Sequence, residues 1–322
     1  MTETNDKKRE IKLIALDIDG TTLNSKHELT PRLEKALRAA AAQGIKIVFA
    51  TGKTRHSLEY LREKLKIQMP GIFLQGLITY NAAGEVVRQL VLPKHLSRQV
   101  LTFGEDRGFI PVVYSGMRMF ARHQDKEVAK QFEAYHEPPA EFVTGVQNLL
   151  EDLDFNKIIL VGEPRAVKSL RWQLTHQLGS SARVIQAGLM NMLEVLPAGG
   201  SKGAALELLL RDMKISPENM LAAGDAENDL EMVKLAGIGV AMGNAEASLK
   251  AVADYVCPTN DEDGLVEVLE KFVLKQPEPK PQPVPEMPAS KPAVEEPKAE
   301  QKATDDSKKE PVAEVAKPEE KK

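Results

Sequence analysis

The chain has 322 residues with a formal net charge of -4, and 42% of the residues are hydrophobic. This length and composition predict a soluble globular protein of about two domains, and so small a charge gives no reason to expect nucleic acid or an anionic membrane as a partner. The single cysteine, Cys257, excludes an intrachain disulfide, and no stretch approaches the roughly 18 uninterrupted apolar residues of a membrane span, so we expect a cytoplasmic protein.

The beginning of the chain alternates buried strands with an amphipathic helix. Ile11 to Leu16 is apolar apart from one lysine, which is typical of a strand buried on both faces. Thr30 and Pro31 are typical of the cap and the first residue of a helix, which Gly44 ends. Ile45 to Ala50 is then predicted as the next buried strand.

The same alternation returns late in the chain. A helix over 202–213 precedes a strand from Met220 to Ala223, a helix over 227–236 precedes a strand from Ile238 to Met242, and Asp254 to Cys257 predicts one more short strand. Repeats of this kind predict a doubly wound, mostly parallel Rossmann-like sheet with helices on both faces. Ligands bind beyond the carboxyl ends of the strands in such sheets.

The middle of the chain differs from both ends. Shorter strands, predicted at Val86 to Leu92, Pro111 to Tyr114 and Lys157 to Val161, lie between helices, which favours an inserted α+β domain. The predicted organisation is an N-terminal extension over 1–10, a first core part over 11–84, the insertion over 85–187, a second core part over 188–275 and a tail over 276–322.

The tail has its own composition. It contains no aromatic residue and half of the chain's 20 prolines, and Pro, Glu, Lys and Ala dominate it. Such a segment cannot bury enough apolar surface to offset the entropy of ordering, so we expect it to be disordered. Its role is open between a solubilising segment and a docking segment for an unknown protein partner.

Two carboxylates follow the first predicted strand. Asp17 and Asp19 can face one pocket if the chain turns after them, and Gly20 permits that turn. Like charges so close together are costly unless a cation or a proton lies between them, and both remedies suit phosphoryl transfer. Solvated loop carboxylates are the alternative interpretation of this pair, which by itself already favours a functional role.

Three further segments follow strands or open helices. Thr51 and Gly52 can cradle a phosphate oxygen, Lys202 opens a helix and adds a positive charge, and Asp225 and Asp229 supply hard oxygen ligands. Taken alone, Thr51 and Gly52 are better explained by an ordinary turn and Lys202 by a surface lysine, while Asp225 and Asp229 also fit an acidic helix start. Because all of them fall at one edge of the predicted sheet, together they predict a Mg²⁺–phosphate site.

These segments resemble motifs of the haloacid dehalogenase superfamily, and within it of the Cof-like phosphatases with a type IIB cap. The resemblance covers about residues 11–272, and Asp17–Thr22 and Gly224–Asp229 carry it most specifically. The later runs Val240–Ala245 and Ala253–Gly264 are similar to signatures of the same subgroup. It implies a Mg²⁺-dependent phosphatase that hydrolyses a small phosphorylated metabolite, such as a sugar phosphate, through an aspartyl-phosphate.

The resemblance also implies roles for individual residues. Asp17 would be the nucleophile and Asp19 the acid and base. The phosphate ligands would be Thr51, Gly52, Lys202 and Asn228, and the metal would be held by Asp17, the main-chain carbonyl of Asp19 and Asp225, with Asp229 supporting it.

The substrate is left open by two departures from the family pattern. Lys53 stands where the family commonly has Arg, and Gln75 begins a segment that often reads Asn-Gly-Ala. Lys53, Arg118 and Arg122 are candidate substrate contacts, although the two arginines also fit a solvated loop. A phosphomutase and a catalytically silent relative that binds a partner through its tail remain as alternatives.

Overall fold

In the part of the chain that the structure describes, the strands form two sheets. The structure, a computed structural model, describes residues 10–133, 137–186 and 191–274. The predicted N-terminal extension, apart from Glu10, and the predicted tail lie outside these ranges. The strands are β1 Leu13–Leu16, β2 Lys46–Ala50, β3 Gly71–Phe73, β4 Ile78–Tyr80, β5 Val86–Gln89, β6 Ile110–Ser115, β7 Arg118–Arg122, β8 Glu141–Val143, β9 Lys157–Val161, β10 Ala182–Ile185, β11 Met192–Pro197, β12 Met220–Gly224, β13 Ile238–Ala241 and β14 Tyr255–Val256.

The first sheet has β1 near its centre. Its strand order is β14-β13-β12-β1-β2-β3-β4-β5, and neighbours from β14 to β3 run parallel. All four residues of β1 are apolar and buried, as a strand covered on both faces requires. The carboxyl ends of β1, β2, β3 and β12 therefore lie at the same edge of the sheet.

The helices begin and end where local signals place them. Thr30 caps the first helix, because its Oγ1 accepts a hydrogen bond from the Leu33 N–H at 3.2 Å. This confirms the predicted cap. The helices are α1 Pro31–Ala42, α2 Glu59–Leu65, α3 Lys94–Glu105, α4 Lys126–Glu133, α5 Pro164–Leu178, α6 Lys202–Met213, α7 Leu230–Leu235, α8 Ala247–Lys250 and α9 Gly264–Leu269.

The second sheet has strand order β10-β11-β9-β6-β7-β8 and is antiparallel except between β7 and β8. It packs on a separate hydrophobic cluster that includes Val100, Phe155, Leu160 and Leu174. A mostly parallel sheet with an inserted antiparallel sheet and its helices confirms the predicted fold class. None of the helices in the described part of the chain is both long and apolar enough to span a membrane.

The two ends of the insertion differ from the predicted range of 85–187. β5 pairs with β4 in the first sheet, and β11 pairs with β9 and β10 in the second. A short strand carries no local signal for the sheet it joins, because pairing depends on residues distant in the chain. We propose that the inserted domain runs from Pro93 to Pro197.

Candidate active site

The candidate site lies at the carboxyl edge of the first sheet. Asp17 follows β1, Thr51 follows β2, and Asp225 follows β12. The sheet order places β1 between β2 and β12, so three segments distant in sequence converge. Asp17 is tied to this edge by its own N–H, which donates to the Ala223 carbonyl at 3.0 Å.

Asp17 is a buried carboxylate beside a buried lysine. Only 6% of the residue is exposed, and its Oδ1 accepts a hydrogen bond from Lys202 Nζ at 2.5 Å. Burial raises the pKa of Asp17 well above its usual value, Lys202 opposes that rise, and the nearby carboxylates Asp229 and Asp225 add to it. An anionic Asp17 therefore depends on positive charge supplied at this point.

Lys202 is held between two carboxylates. It is the first residue of α6, whose cap Ser201 accepts a hydrogen bond from the Ala204 N–H at 3.0 Å. Its Nζ also donates to Asp229 Oδ1 at 2.7 Å. Burial lowers the pKa of Lys202, but the charges of Asp17 and Asp229 outweigh it and leave the pKa above its usual value. The two carboxylates therefore favour the charged form of Lys202.

Asp229 organises the loop after β12. It is fully buried, and its Oδ2 accepts hydrogen bonds from the N–H groups of Asp225 at 3.0 Å and Ala226 at 3.2 Å. Burial, followed by the charge of Asp229, raises the pKa of Asp225 to about 6. Thr21 Oγ1 donates to Asp225 Oδ1 at 3.2 Å.

Three of these carboxylates fit a divalent cation. Asp17, Asp225 and Asp229 each offer an oxygen, and these oxygens lie within 4.8 Å of one another. Carboxylate oxygens are the ligands that Mg²⁺ prefers, and a cation here would oppose the burial and the mutual repulsion that raise the pKa of Asp17 and Asp225. Gly20 is needed beside them: its φ is +76°, and a Cβ there would lie 2.3 Å from Asp225 Oδ2.

Asp19 lies beside two basic groups. Its Oδ1 accepts a hydrogen bond from Lys53 Nζ at 2.7 Å and lies 3.3 Å from His27 Nδ1. The side chain of Lys53 is 12% exposed and that of Asp19 is 35% exposed. The structure thus brings the predicted substrate residue Lys53 to the predicted acid and base.

The predicted phosphate ligands surround the same edge. Thr51 is 1% exposed and begins the turn after β2. Gly52 lies against the side chain of Gln75, since a Cβ at Gly52 would lie only 2.5 Å from Gln75 Nε2. Asn228 Nδ2 donates to Gln75 Oε1 at 2.9 Å. The Oδ1 of Asn228 is buried and has no hydrogen-bond partner among the residues that the structure describes, so it is available to a ligand.

A cavity of about 710 Å³ opens above these residues. Asp17, Asp19, Thr51 and Asp225 lie on its first-sheet side. Side chains from the second sheet line the other side, among them Tyr114, Lys157 and Glu194. A small molecule in this cavity would contact both sheets.

The comparisons with known proteins agree with this geometry. A model of the haloacid dehalogenase-like hydrolase family matches residues 14–269. The chain belongs to this family. A crystal structure of a haloacid dehalogenase-like hydrolase from Bacteroides thetaiotaomicron is 30% identical, with a TM-score of 0.72 over 81% of this chain and 99% of that one.

Two curated relatives match most of this chain but differ in how much of their own length is matched. The chain is 32% identical over 277 residues to a chloroplastic protein of Arabidopsis thaliana named endoribonuclease YBEY. The match covers 83% of this chain but only 47% of that relative. The chain is 30% identical over 271 residues to the 5-amino-6-(5-phospho-D-ribitylamino)uracil phosphatase YcsE of Bacillus subtilis, covering 82% of this chain and 97% of that one. The predicted family and the predicted class of enzyme, a phosphatase of this superfamily, are confirmed.

Two predicted substrate residues of the hydrolase lie away from the cavity. Arg118 donates to both carboxylate oxygens of Glu141 at 2.6 Å. Arg122 donates to Asp125 at 2.6 Å and to Glu105 at 3.2 Å. Neither arginine lines the cavity, so we propose neither as a substrate contact.

Several polar residues of the cavity, contributed by the second sheet and the β3 turn, were not predicted as parts of the site. Lys157 begins β9, Glu194 lies within β11, and both strands are otherwise almost entirely apolar. A single charged residue in a buried apolar strand is a signal that could have identified them. Gln75 was named only as a departure from the family pattern.

Proposed function

We propose that this hydrolase is a Mg²⁺-dependent phosphatase that cleaves a small phosphorylated metabolite through an aspartyl-phosphate on Asp17. The observation that carries the proposal is the cluster of Asp17, Asp225 and Asp229, in which Asp17 and Asp229 both accept hydrogen bonds from the Lys202 ammonium group. Buried carboxylates of this kind are retained where they bind cations or react, because burying them without such a role is costly.

In the first step, a carboxylate oxygen of Asp17 attacks phosphorus. A bond forms between that oxygen and phosphorus, and the bond from phosphorus to the leaving oxygen breaks. Asp19, acting in its protonated form, gives its proton to the leaving oxygen, which departs as an alcohol. Asp19 lines the same cavity as Asp17, which places both carboxyl groups against one substrate.

In the second step, water cleaves the aspartyl-phosphate. Asp19, now a carboxylate, takes a proton from the water as the water oxygen bonds to phosphorus. The bond from phosphorus to Asp17 breaks, which releases inorganic phosphate and restores the Asp17 carboxylate. Both steps therefore return Asp19 to its starting form.

The transferred group needs positive charge and hydrogen-bond donors throughout. Thr51, the backbone at Gly52 and the side chain of Lys202 would hold the phosphoryl oxygens, and Asn228 would join them by turning its Nδ2 from Gln75 to the phosphate. Asp17, the Asp19 carbonyl and Asp225 would hold Mg²⁺, with Asp229 supporting them, and the bound ion would add positive charge against the phosphoryl oxygens. Lys202 holds Asp17 in place before any substrate arrives.

The size of the cavity supports a small substrate. A volume of about 710 Å³ lies within the range of sites for small molecules. The Bacillus subtilis relative named above acts on a phosphorylated ribitylaminouracil, which is a substrate of this size.

The test is phosphate release from a panel of sugar phosphates, nucleotides, cofactor phosphates and an aryl phosphate, each with Mg²⁺ and with EDTA. We expect Mg²⁺-dependent release that Asp17→Asn abolishes, because an amide cannot attack phosphorus. Asp152→Asn, which changes an exposed aspartate of the insertion, is the matched control and should keep the wild-type rate. Wild-type activity in Asp17→Asn would disprove the assignment of the nucleophile, and no release from any compound would favour the silent, tail-binding alternative.

A further inference from the structure

The wall of the cavity that the second sheet forms carries polar side chains from three adjacent strands. Tyr114 on β6 is paired with Lys157 on β9, and Glu194 on β11 is paired with Ile159, two residues beyond Lys157. This register places Tyr114, Lys157 and Glu194 on one face of the second sheet. All three line the cavity opposite the carboxylates of the candidate active site.

Glu194 is buried, but its carboxylate makes only long hydrogen bonds. The residue is only 7% exposed. Its two carboxylate oxygens accept one contact each among the described residues, from Lys157 Nζ and from Gln75 Nε2, both at 3.5 Å. These distances exceed the roughly 2.7–3.2 Å of a good N–H···O hydrogen bond. A carboxylate in this state gains from any further donor that enters the cavity.

Tyr114 carries a second unused group. Its side chain is fully buried, and its hydroxyl has no hydrogen-bond partner within the described ranges. Burial, and then the charges of Glu137 and Glu194, raise the pKa of Tyr114 well above its usual value, so the hydroxyl keeps its proton. A buried hydroxyl without a partner is costly, which suggests that a ligand supplies the partner.

The other charged groups on this side of the cavity already have closer hydrogen-bond partners. Glu137 accepts hydrogen bonds from Thr54 Oγ1 at 2.7 Å and from Ser57 Oγ at 3.3 Å. Arg183 donates to Glu231 at 2.8 Å. Lys157 Nζ donates to the Gly52 carbonyl at 2.9 Å. Glu194 is therefore the charged group on this side of the cavity whose hydrogen bonds are the longest.

We propose that Glu194 selects the substrate by accepting hydrogen bonds from hydroxyl or N–H groups of an uncharged leaving group and by repelling a leaving group that carries a second anionic group. Tyr114 is the complementary donor. This inference rests on the proposed phosphatase activity and narrows it to monoesters whose leaving group is rich in hydrogen-bond donors.

The test compares three substrates in the wild-type enzyme and in Glu194→Gln, with Mg²⁺ present. Glucose 6-phosphate has a neutral, polyhydroxylated leaving group, glucose 1,6-bisphosphate adds a second phosphate, and p-nitrophenyl phosphate has a leaving group with neither feature. In Glu194→Gln we expect kcat/KM for glucose 6-phosphate to fall by about 10- to 100-fold, mostly through KM, since hydrogen bonds to charged groups are of that strength. The ratio of monophosphate to bisphosphate kcat/KM should fall with it, while p-nitrophenyl phosphate is hydrolysed as before.

Two further variants separate selection from structure. Glu151→Gln removes the same charge from an exposed residue of the inserted domain that does not line the cavity, and it should leave the ratio unchanged. Tyr114→Phe should lower kcat/KM for glucose 6-phosphate by about 10-fold without lowering Tm, because the hydroxyl has no described partner to lose. A drop in Tm in Tyr114→Phe would show that the hydroxyl serves the fold, and would overturn its role.

The outcomes distinguish the two proposals. If Glu194→Gln hydrolyses p-nitrophenyl phosphate and its ratio of monophosphate to bisphosphate kcat/KM is unchanged, the selection by Glu194 is overturned and the proposed phosphatase activity is not. A wild-type preference for the bisphosphate would overturn it as well. Failure of the wild-type enzyme to hydrolyse any of the three compounds would overturn the proposed function, and this inference with it.

Discussion

Lys202 is the residue on which the buried charges of the site depend. Its Nζ lies 2.5 Å from Asp17 and 2.7 Å from Asp229, and the lysine is only 1% exposed. Burial raises the pKa of Asp17 and Lys202 opposes that rise, so the lysine favours the anionic form of the carboxyl. The same ammonium group thus serves the stability of the fold and the readiness of the proposed nucleophile.

We expect Lys202→Met to lower the free energy of unfolding by about 3 kcal/mol near neutral pH without metal, because it leaves buried carboxylates without their partner. An acid whose pKa is raised in the folded state stabilises the fold below its unfolded pKa, and this contribution is lost as the pH rises through the folded pKa. Removing the lysine raises the pKa of Asp17 further, so the loss should be smaller near pH 5, where the carboxyl can be protonated.

Urea unfolding at the two pH values, with EDTA present, measures this loss. The matched control is Lys35→Met, which changes an exposed lysine of α1 and should alter the free energy of unfolding little at either pH. A loss in Lys202→Met that is the same at both pH values would contradict the charge argument.

How far the sequence predicts the site depends on whether neighbours in the chain or distant residues place a side chain. Asp17, Asp225 and Lys202 are brought together as predicted, because each directly follows a strand or opens a helix that local patterns identify. Lys157 and Glu194 were not foreseen as parts of the site. Their direction depends on the register between β6, β9 and β11, which no short segment encodes.

At the scale of elements, the residue that caps α1 also makes a hydrogen bond to a residue distant in the chain. Thr30 Oγ1 accepts from the Leu33 N–H at 3.2 Å and donates to Asp263 Oδ1 at 2.5 Å. The cap itself follows from the sequence, because it satisfies a helical N–H three residues away. The bond to Asp263 does not, since that residue is more than two hundred positions later.

We expect Thr30→Ala to lower the free energy of unfolding by about 1–2 kcal/mol, because one cap bond and one bond to a carboxylate are lost. The kcat should not change, since Thr30 does not line the cavity. Thr30→Ser retains the hydroxyl and is the matched control, and it should keep most of the stability. Chemical unfolding with an activity assay checks both expectations, and an equal loss in Thr30→Ser would show that the hydroxyl is not the cause.

The sequence did not predict which of the two sheets β5 and β11 join. β11 is a buried apolar run apart from Glu194, which suits a strand of either sheet. It joins the second sheet because Met192 pairs with Val161 and Pro197 pairs with Ala182. β5 is mostly exposed and lies at the edge of the first sheet, where few contacts fix its place. The predicted ends of the insertion shift for this reason.

At the scale of the whole molecule, the proposed metal site joins the two halves of the first sheet. Asp17 lies near the start of the described chain, and Asp225 follows more than two hundred residues later, yet their oxygens lie within 4.8 Å. An ion bound to both would stabilise the native arrangement and have no such site in the unfolded chain. Metal binding should therefore raise the stability of the whole hydrolase.

We expect saturating Mg²⁺ to raise Tm above its value in EDTA by about 5 °C or more near pH 7.5. The rise should be smaller near pH 5, because Asp225 has a pKa of about 6 without metal and must lose its proton to bind the ion. Because the pKa of Asp225 is raised, its protonated carboxyl stabilises the metal-free fold at low pH. This stability is lost as the pH rises through about 6. Mg²⁺ replaces the proton as the source of positive charge.

Thermal unfolding at both pH values, with Mg²⁺ and with EDTA, measures this effect directly. Asp225→Asn should abolish most of the Mg²⁺-dependent rise, and it should also raise Tm in EDTA near pH 7.5, because it removes one of three mutually repelling carboxylates. Asp261→Asn is the control for general salt effects, because Asp261 is exposed and lies outside the cluster. A Mg²⁺-dependent rise of equal size in wild type and Asp225→Asn would show that the ion binds elsewhere.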